Sequence, residues 1–140
     1  MRPVIQQLLK QVETGGQEEK LSCLLGIGDY LEHPHPHEDG YIETVQQLIN
    51  LLNRENDAQV RKLFFRNISI AYMYSIDLSE VTFDPLINGL DKKDPVFISN
   101  VLYLLSMTYK AKYKEVISKY ISHPDEQVKK EALDALTYLP

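Results

Sequence analysis

The chain has 140 residues, of which 44% are hydrophobic and 25% charged, with a formal net charge of -5; these proportions exclude disordered and collagen-like classes, and the length suits one domain with a core of ordinary extent. Apolar runs such as Leu63-Phe64-Phe65 and Leu104-Leu105 fall far short of the roughly 20 residues that span a bilayer, so no membrane segment is expected. Cys23 is the only cysteine, which excludes an intramolecular disulfide and a cysteine-based zinc cluster.

In chain order, apolar residues recur at spacings of three and four, and no sustained two-residue alternation appears, so helices are predicted throughout. The first helical face carries Val4, Ile5, Leu8, Leu9 and Val12, followed by a turn at Glu13-Thr14-Gly15-Gly16 and a second face with Leu21, Leu24, Leu25 and Leu31. Gly26 and Gly28 fall inside that second helix, where each weakens it by roughly 1 kcal/mol relative to Ala, so a short or kinked helix is expected. The next pair runs from Val45, Leu48, Ile49, Leu51 and Leu52, through a turn over 53–57, to Val60, Phe64, Ile68 and Ala71. A third follows as Leu86, Ile87 and Leu90, then Asp91-Lys92-Lys93-Asp94-Pro95, then Phe97, Val101, Leu104 and Leu105, with Pro95 suited to a first helical turn. The last pair joins Val116, Ile117, Tyr120 and Ile121, through His123-Pro124-Asp125, to Val128, Ala132, Ala135, Leu136 and Leu139. Asp125 is the expected N-cap of that final helix.

Taking Leu21, Val60, Phe97 and Val128 as equivalent gives spacings of 39, 37 and 31 residues, the lengths of a two-helix repeat. Pro124-Asp125-Glu126-Gln127-Val128-Lys129-Lys130-Glu131-Ala132-Leu133-Asp134-Ala135-Leu136 and, in the second pair, Val60-Arg61 resemble the HEAT-repeat, armadillo-like family. In that family's signature an Asp/Pro turn is followed by Val-Arg and an Ala-Leu ending. The third pair departs from the pattern with Phe97-Ile98, and the first with Leu21-Ser22. The resemblance implies an all-α, right-handed superhelical solenoid of about four hairpins, forming one domain over 1–140 with repeats near 3–32, 41–74, 83–109 and 113–139. It further implies that the second helices line a concave face. Their predicted outward residues are Lys62 and Arg66 in the second pair, Ser99 and Tyr103 in the third, and Lys130 and Asp134 in the fourth; these six are the candidate partner-binding row.

Charge is uneven. Residues 1–58 hold 4 Lys/Arg against 10 Asp/Glu, while 59–140 hold 11 against 10. The acidic front half disfavours phosphate contact and suits a basic protein partner. The nine residues Glu32-His33-Pro34-His35-Pro36-His37-Glu38-Asp39-Gly40 offer imidazoles and carboxylates, but alternating prolines favour an extended run in which His33, His35 and His37 need not converge; an inter-repeat loop is the expected reading, with metal or partner binding the alternative. Tyr72, Tyr74, Tyr120 and Tyr138 are expected to be half-buried at helix ends. Cys23 has no sequence cue for activation. Gly26-Ile27-Gly28 lacks the strand and third glycine of a dinucleotide-binding turn, and no Walker, metalloprotease or hydrolase motif is present.

The expectation is therefore a protein-binding module without enzymatic activity, cofactor or metal. By size, fold type and charge, not by a motif, it is similar to the helical immunity proteins of bacterial toxin systems, which implies a basic toxin domain as partner. The alternatives are a nucleic-acid-binding or glycosylase-like HEAT protein using Lys62, Arg66, Lys129 and Lys130, and an assembly or chaperone subunit. The opening Met1-Arg2-Pro3-Val4-Ile5-Gln6-Gln7 turns polar before a signal-type apolar region develops, so a cytoplasmic address is expected.

Overall fold

An aspartate starts each of three helices. Asp57 Oδ1 accepts the backbone N–H groups of Gln59 and Val60 at 2.9 and 3.0 Å, Asp94 Oδ1 accepts that of Phe97 at 2.9 Å, and Asp125 Oδ1 accepts those of Gln127 and Val128 at 2.9 and 3.1 Å. Each carboxylate satisfies N–H groups that the first helical turn leaves without an intrahelical acceptor. In all three cases the residue three positions after the cap, Val60, Phe97 or Val128, is buried.

The computed structural model describes residues 2–33, 40–75 and 77–140. Among these the regular elements are helical: α1 (Pro3–Thr14), α2 (Gln17–Leu31), α3 (Tyr41–Leu52), α4 (Ala58–Tyr74), α5 (Asp84–Ile87), α6 (Pro95–Met107), α7 (Lys114–Ser118) and α8 (Glu126–Tyr138), with single 3₁₀ turns at Leu90–Lys92 and Ala111–Tyr113. No strand occurs among the described residues. The chain divides into two compact bodies, one reaching to Pro85 and one from Leu86 to Pro140.

In the N-terminal body α1 packs on α2 and α3 on α4, while α1 also meets α3 and α2 meets α4. First helix therefore stacks on first and second on second. Ile5, Leu9 and Val12 of α1, Leu24, Ile27 and Leu31 of α2, Val45, Leu48 and Ile49 of α3, and Phe64 and Ile68 of α4 make the core. Tyr41 ties the start of α3 to the end of α2, its hydroxyl donating to the Leu31 carbonyl at 2.7 Å. The segment after α4 is clamped by one amide: Gln46 Nε2 donates to the Thr82 carbonyl at 3.0 Å and Gln46 Oε1 accepts the Thr82 N–H at 2.8 Å. Val81 and Phe83 on either side are buried.

Helix α2 is a continuous 15-residue helix, where the sequence predicted a short or kinked one. Gly28 explains the difference. A Cβ there would lie 2.7 Å from Asn67 Oδ1, so the glycine buys close approach of α2 to α4. Fully buried Asn67 also donates from Nδ2 to the Leu24 carbonyl at 2.8 Å. The pattern within α2 shifts too. Leu25 is 52% exposed and Leu21 half-buried, whereas Leu24, Ile27, Gly28 and Leu31 are buried. These match Phe64, Asn67, Ile68 and Ala71 at a spacing of 40 residues, so Lys20, not Leu21, stands in register with Val60.

In the C-terminal body α6 packs along α8, and α7 along α8. Phe97, Val101, Leu104 and Leu105 of α6 and Val128, Ala132 and Ala135 of α8 are all buried, with Tyr113, Ile117 and Tyr120 from the α7 region. The first helices of the third and fourth predicted pairs are abbreviated. Helix α5 has four residues and gives way to Gly89 at φ 75°, a left-handed conformation that favours glycine. Helix α7 has five and follows Tyr109 at φ 55°.

Replacing Gly28 by alanine tests the close approach. Ala favours helix by about 1 kcal/mol over Gly in isolation, yet here overpacking against Asn67 is expected to leave Gly28→Ala less stable than wild type by about 1–3 kcal/mol. Urea denaturation should show that loss, and the double variant Gly28→Ala/Asn67→Ala should lose less than the two single changes added together.

Candidate functional site

In α4, α6 and α8 the aspartate cap fixes which residues turn outward. With Val60 inward, Lys62 and Arg66 point away from the buried stripe of α4, and both are exposed. Arg66 Nη2 lies 3.8 Å from Glu32 Oε1 with both side chains well exposed, a surface pair of small energy that leaves the guanidinium open to a partner. The positions of α2 that correspond in the corrected register are Ser22 and Gly26, so neither a charged nor an aromatic side chain stands there.

In the C-terminal body the equivalent residues separate. Ser99 and Tyr103 line an open groove of about 330 Å³, with Pro95, Val96 and Asn100 also from α6. Its opposite wall is Asp125, Gln127 and Glu131, from the cap and first turns of α8. Lys130 and Asp134 are exposed on α8 but are not among the lining residues. The row therefore supplies two of the six predicted residues to the groove, and α8 contributes through positions one step around its surface.

Val96 is 71% exposed and Tyr103 45% exposed, on a helix where Phe97, Ile98, Val101, Leu102, Leu104 and Leu105 are buried. Ser99 Oγ is buried without a hydrogen-bond partner. Asn100 Nδ2 donates to the Val96 carbonyl at 3.0 Å. The half-buried Glu131 carboxyl is pushed above the usual carboxylate range, chiefly by burial and next by Asp134, with Lys130 opposing. Its side chain makes no hydrogen bond or ion pair among the described residues. Val96, Asn100, Gln127 and Glu131 were not predicted; the signal available was a second helical stripe, 96, 99/100 and 103 on α6 and 127 and 131 on α8.

A smaller recess of about 90 Å³ in the N-terminal body is lined by Lys20, Arg54, Glu55 and Phe64 among others. Two of its charged groups, Lys20 and Glu55, are committed to structure. Lys20 Nζ donates to Glu55 Oε1 at 2.8 Å, Glu55 Oε2 accepts the N–H groups of Asn56 and Asp57 at 3.0 Å, and Arg61 Nε donates to the Glu55 carbonyl at 2.6 Å. Burial alone would raise the Glu55 carboxyl, but the Lys20 hydrogen bond, the backbone N–H groups and the Lys20 charge together hold it below its ordinary value.

Cys23 is buried, its Sγ donating to Gln11 Oε1 at 3.4 Å, and burial, then Glu19, pushes the thiol up, away from the reactive thiolate. His33 is exposed with Nδ1 3.0 Å from the Asp29 carbonyl; His35 and His37 lie outside the described residues. Among the described residues no group of three or more His, Cys, Asp or Glu is placed to hold a metal ion, and no helix is long and apolar enough to cross a membrane. Of the four tyrosines expected to be half-buried, Tyr72 is, Tyr120 is buried, and Tyr74 and Tyr138 are 51% and 63% exposed, because each of the latter two ends its helix beyond the last buried turn. No family model matches the chain, and no curated protein or solved structure is significantly similar to it.

The Lys20–Glu55 turn predicts an acid response. The folded pKa of Glu55 lies below its unfolded value, so this contribution is complete above the unfolded pKa and is lost as pH falls through the folded one. Stability measured by urea denaturation should decline on acidification below the ordinary Glu value of 4.5. Glu55→Gln should cost about 1–3 kcal/mol at neutral pH and make that part of the pH profile shallower.

Proposed function

We propose that this chain is a non-enzymatic protein-binding module of HEAT-like character, its four hairpins forming an α-solenoid whose second helices present the contact surface. The observation that carries this reading is the repeated cap register: the same offsets from Asp57, Asp94 and Asp125 reach Lys62 and Arg66, Ser99 and Tyr103, and Lys130 and Asp134. The stacking of α1 on α3 and α2 on α4, and of α6 on α8, is the packing that a two-helix repeat requires. Arg and Tyr are favoured at interface hot spots, and extended repeat surfaces place such residues side by side.

The front half, with 4 Lys/Arg against 10 Asp/Glu, supports a basic partner, because complementary charge speeds encounter and secures specificity. An immunity protein that neutralises a basic toxin domain is the specific form of this reading. It acts by covering the toxin's surface and needs no reaction centre of its own.

Affinity capture from native lysate, run with wild type and with Arg66→Glu and Tyr103→Ala, tests the module. The wild type should retain a discrete protein, and each substitution at a true hot spot should weaken retention by about tenfold or more. Retention of nothing, or identical retention by all three, would sink the reading. For the immunity form, co-expression with a toxin encoded beside the gene should restore growth, and growth arrest unchanged by co-expression would exclude that form.

A further inference from the structure

We propose that the groove between α6 and α8 receives an arginine side chain presented by a protein partner. This rests on the reading of the chain as a protein-binding module and deepens it by naming what the groove accepts.

The groove has an aromatic and apolar wall, Tyr103 and Val96, facing an acidic one, Glu131 and Asp125, and neither lysine nor arginine lines it. Two polar groups there lack what their burial demands. Ser99 Oγ is buried with no hydrogen-bond partner, and the half-buried Glu131 side chain has neither hydrogen bond nor ion pair among the described residues. Buried polar groups left unmatched are uncommon in folded proteins and call for a partner.

The chemistry selects a cation. Burial and Asp134 already disfavour the charged form of Glu131, and an incoming positive group reverses that penalty. Lys129 and Lys130 are exposed on α8 and outside the lining; Lys130 partly opposes the penalty through its charge but makes no ion pair with Glu131. Asp125 Oδ1 is committed to the N–H groups of Gln127 and Val128, but its negative charge still adds to the field. A guanidinium is preferred over an ammonium: its flat face stacks on the Tyr103 ring while its edge donates to Glu131. The volume of about 330 Å³ sits at the small end of ligand pockets, suited to one long side chain and not to a docked helix.

The test is an NMR titration of the isotope-labelled full chain with a blocked Gly-Gly-Arg-Gly-Gly peptide, beside the same peptide carrying neutral citrulline in place of arginine. Saturable shifts confined to Val96, Ser99, Tyr103, Gln127 and Glu131 are expected with arginine and absent with citrulline. Glu131→Gln, which keeps the size of the side chain, should weaken binding by about tenfold. Tyr103→Leu should weaken it as well, and Glu115→Gln, altering an exposed carboxylate on α7 outside the groove, should leave the groove shifts saturating as before. Equal binding of citrulline, equal binding by Glu131→Gln, or shifts spread over exposed carboxylates elsewhere would overturn the proposal. The two readings fail separately. A captured partner held alike by wild type and Glu131→Gln keeps the module and overturns the groove as its contact; a peptide seated in the groove with no partner captured supports the groove and removes the module.

Discussion

In α4, α6 and α8 the facing of every later residue depends on where the first turn begins, and a single aspartate sets that point. Once Asp57, Asp94 or Asp125 has accepted the first free N–H groups, the residue three positions on is committed inward, and the 3.6-residue period commits the rest. In α4 the inward set continues through Phe64, Asn67, Ile68 and Ala71, in α6 through Val101, Leu104 and Leu105, and in α8 through Ala132 and Ala135. What remains outward is determined by the same choice. A cap displaced by one residue would turn every later side chain by about 100°, carrying Arg66 or Tyr103 off the outward face.

Asp125 was legible as a cap because Asp before a helical apolar stripe is a physical start signal, whereas Asp57 and Asp94 were legible only as members of turns; all-helical structure followed from periodicity alone. The first pair was less legible because α2 begins after Gly16, which makes no side-chain cap. Without that marker Leu21 and Leu25 looked like core, and the true stripe through Leu24, Ile27 and Gly28 was hidden by a glycine that serves as contact surface. Propensity counts Gly28 as a defect in an isolated helix, but the cost is recovered only in the presence of Asn67, more than 35 positions away in sequence. The short α5 and α7 are a related case: Leu86, Ile87, Val116 and Ile117 have helical spacing, yet Gly89 and Tyr109 take positive φ and end or delay the helix, a backbone event that apolar spacing does not report.

The acidic front half needs a finer reading than its count. Glu55 and Asp57 hold turns and caps, and Glu32 lies near Arg66. Glu18 and Glu19 occupy the first turn of α2 and Glu43 that of α3, where negative charge stabilises the helix dipole. Much of the surplus thus answers a local electrostatic demand of helix starts. All of it still contributes to the long-range field, since a carboxylate that accepts hydrogen bonds keeps its charge. Steering of a basic partner and stabilisation of the helices are therefore two uses of the same residues, the first screened by salt beyond a Debye length and the second much less so.

The groove is hidden from helical periodicity for a geometric reason. One outward line per helix picks Lys130 and Asp134, whereas two helices packed side by side expose a valley between them, reached by residues rotated toward the neighbour. On α8 those are Gln127 and Glu131. Their neighbours in the valley make the contrast among carboxylates informative. Asp125, at the helix start, is matched by two backbone N–H groups; Glu131, nearly two turns further along, has no hydrogen bond or ion pair among the described residues. A side chain so placed is stable only because burial is partial, and partial burial is the condition under which a carboxylate is both unmatched enough to gain from a cation and exposed enough for one to reach it.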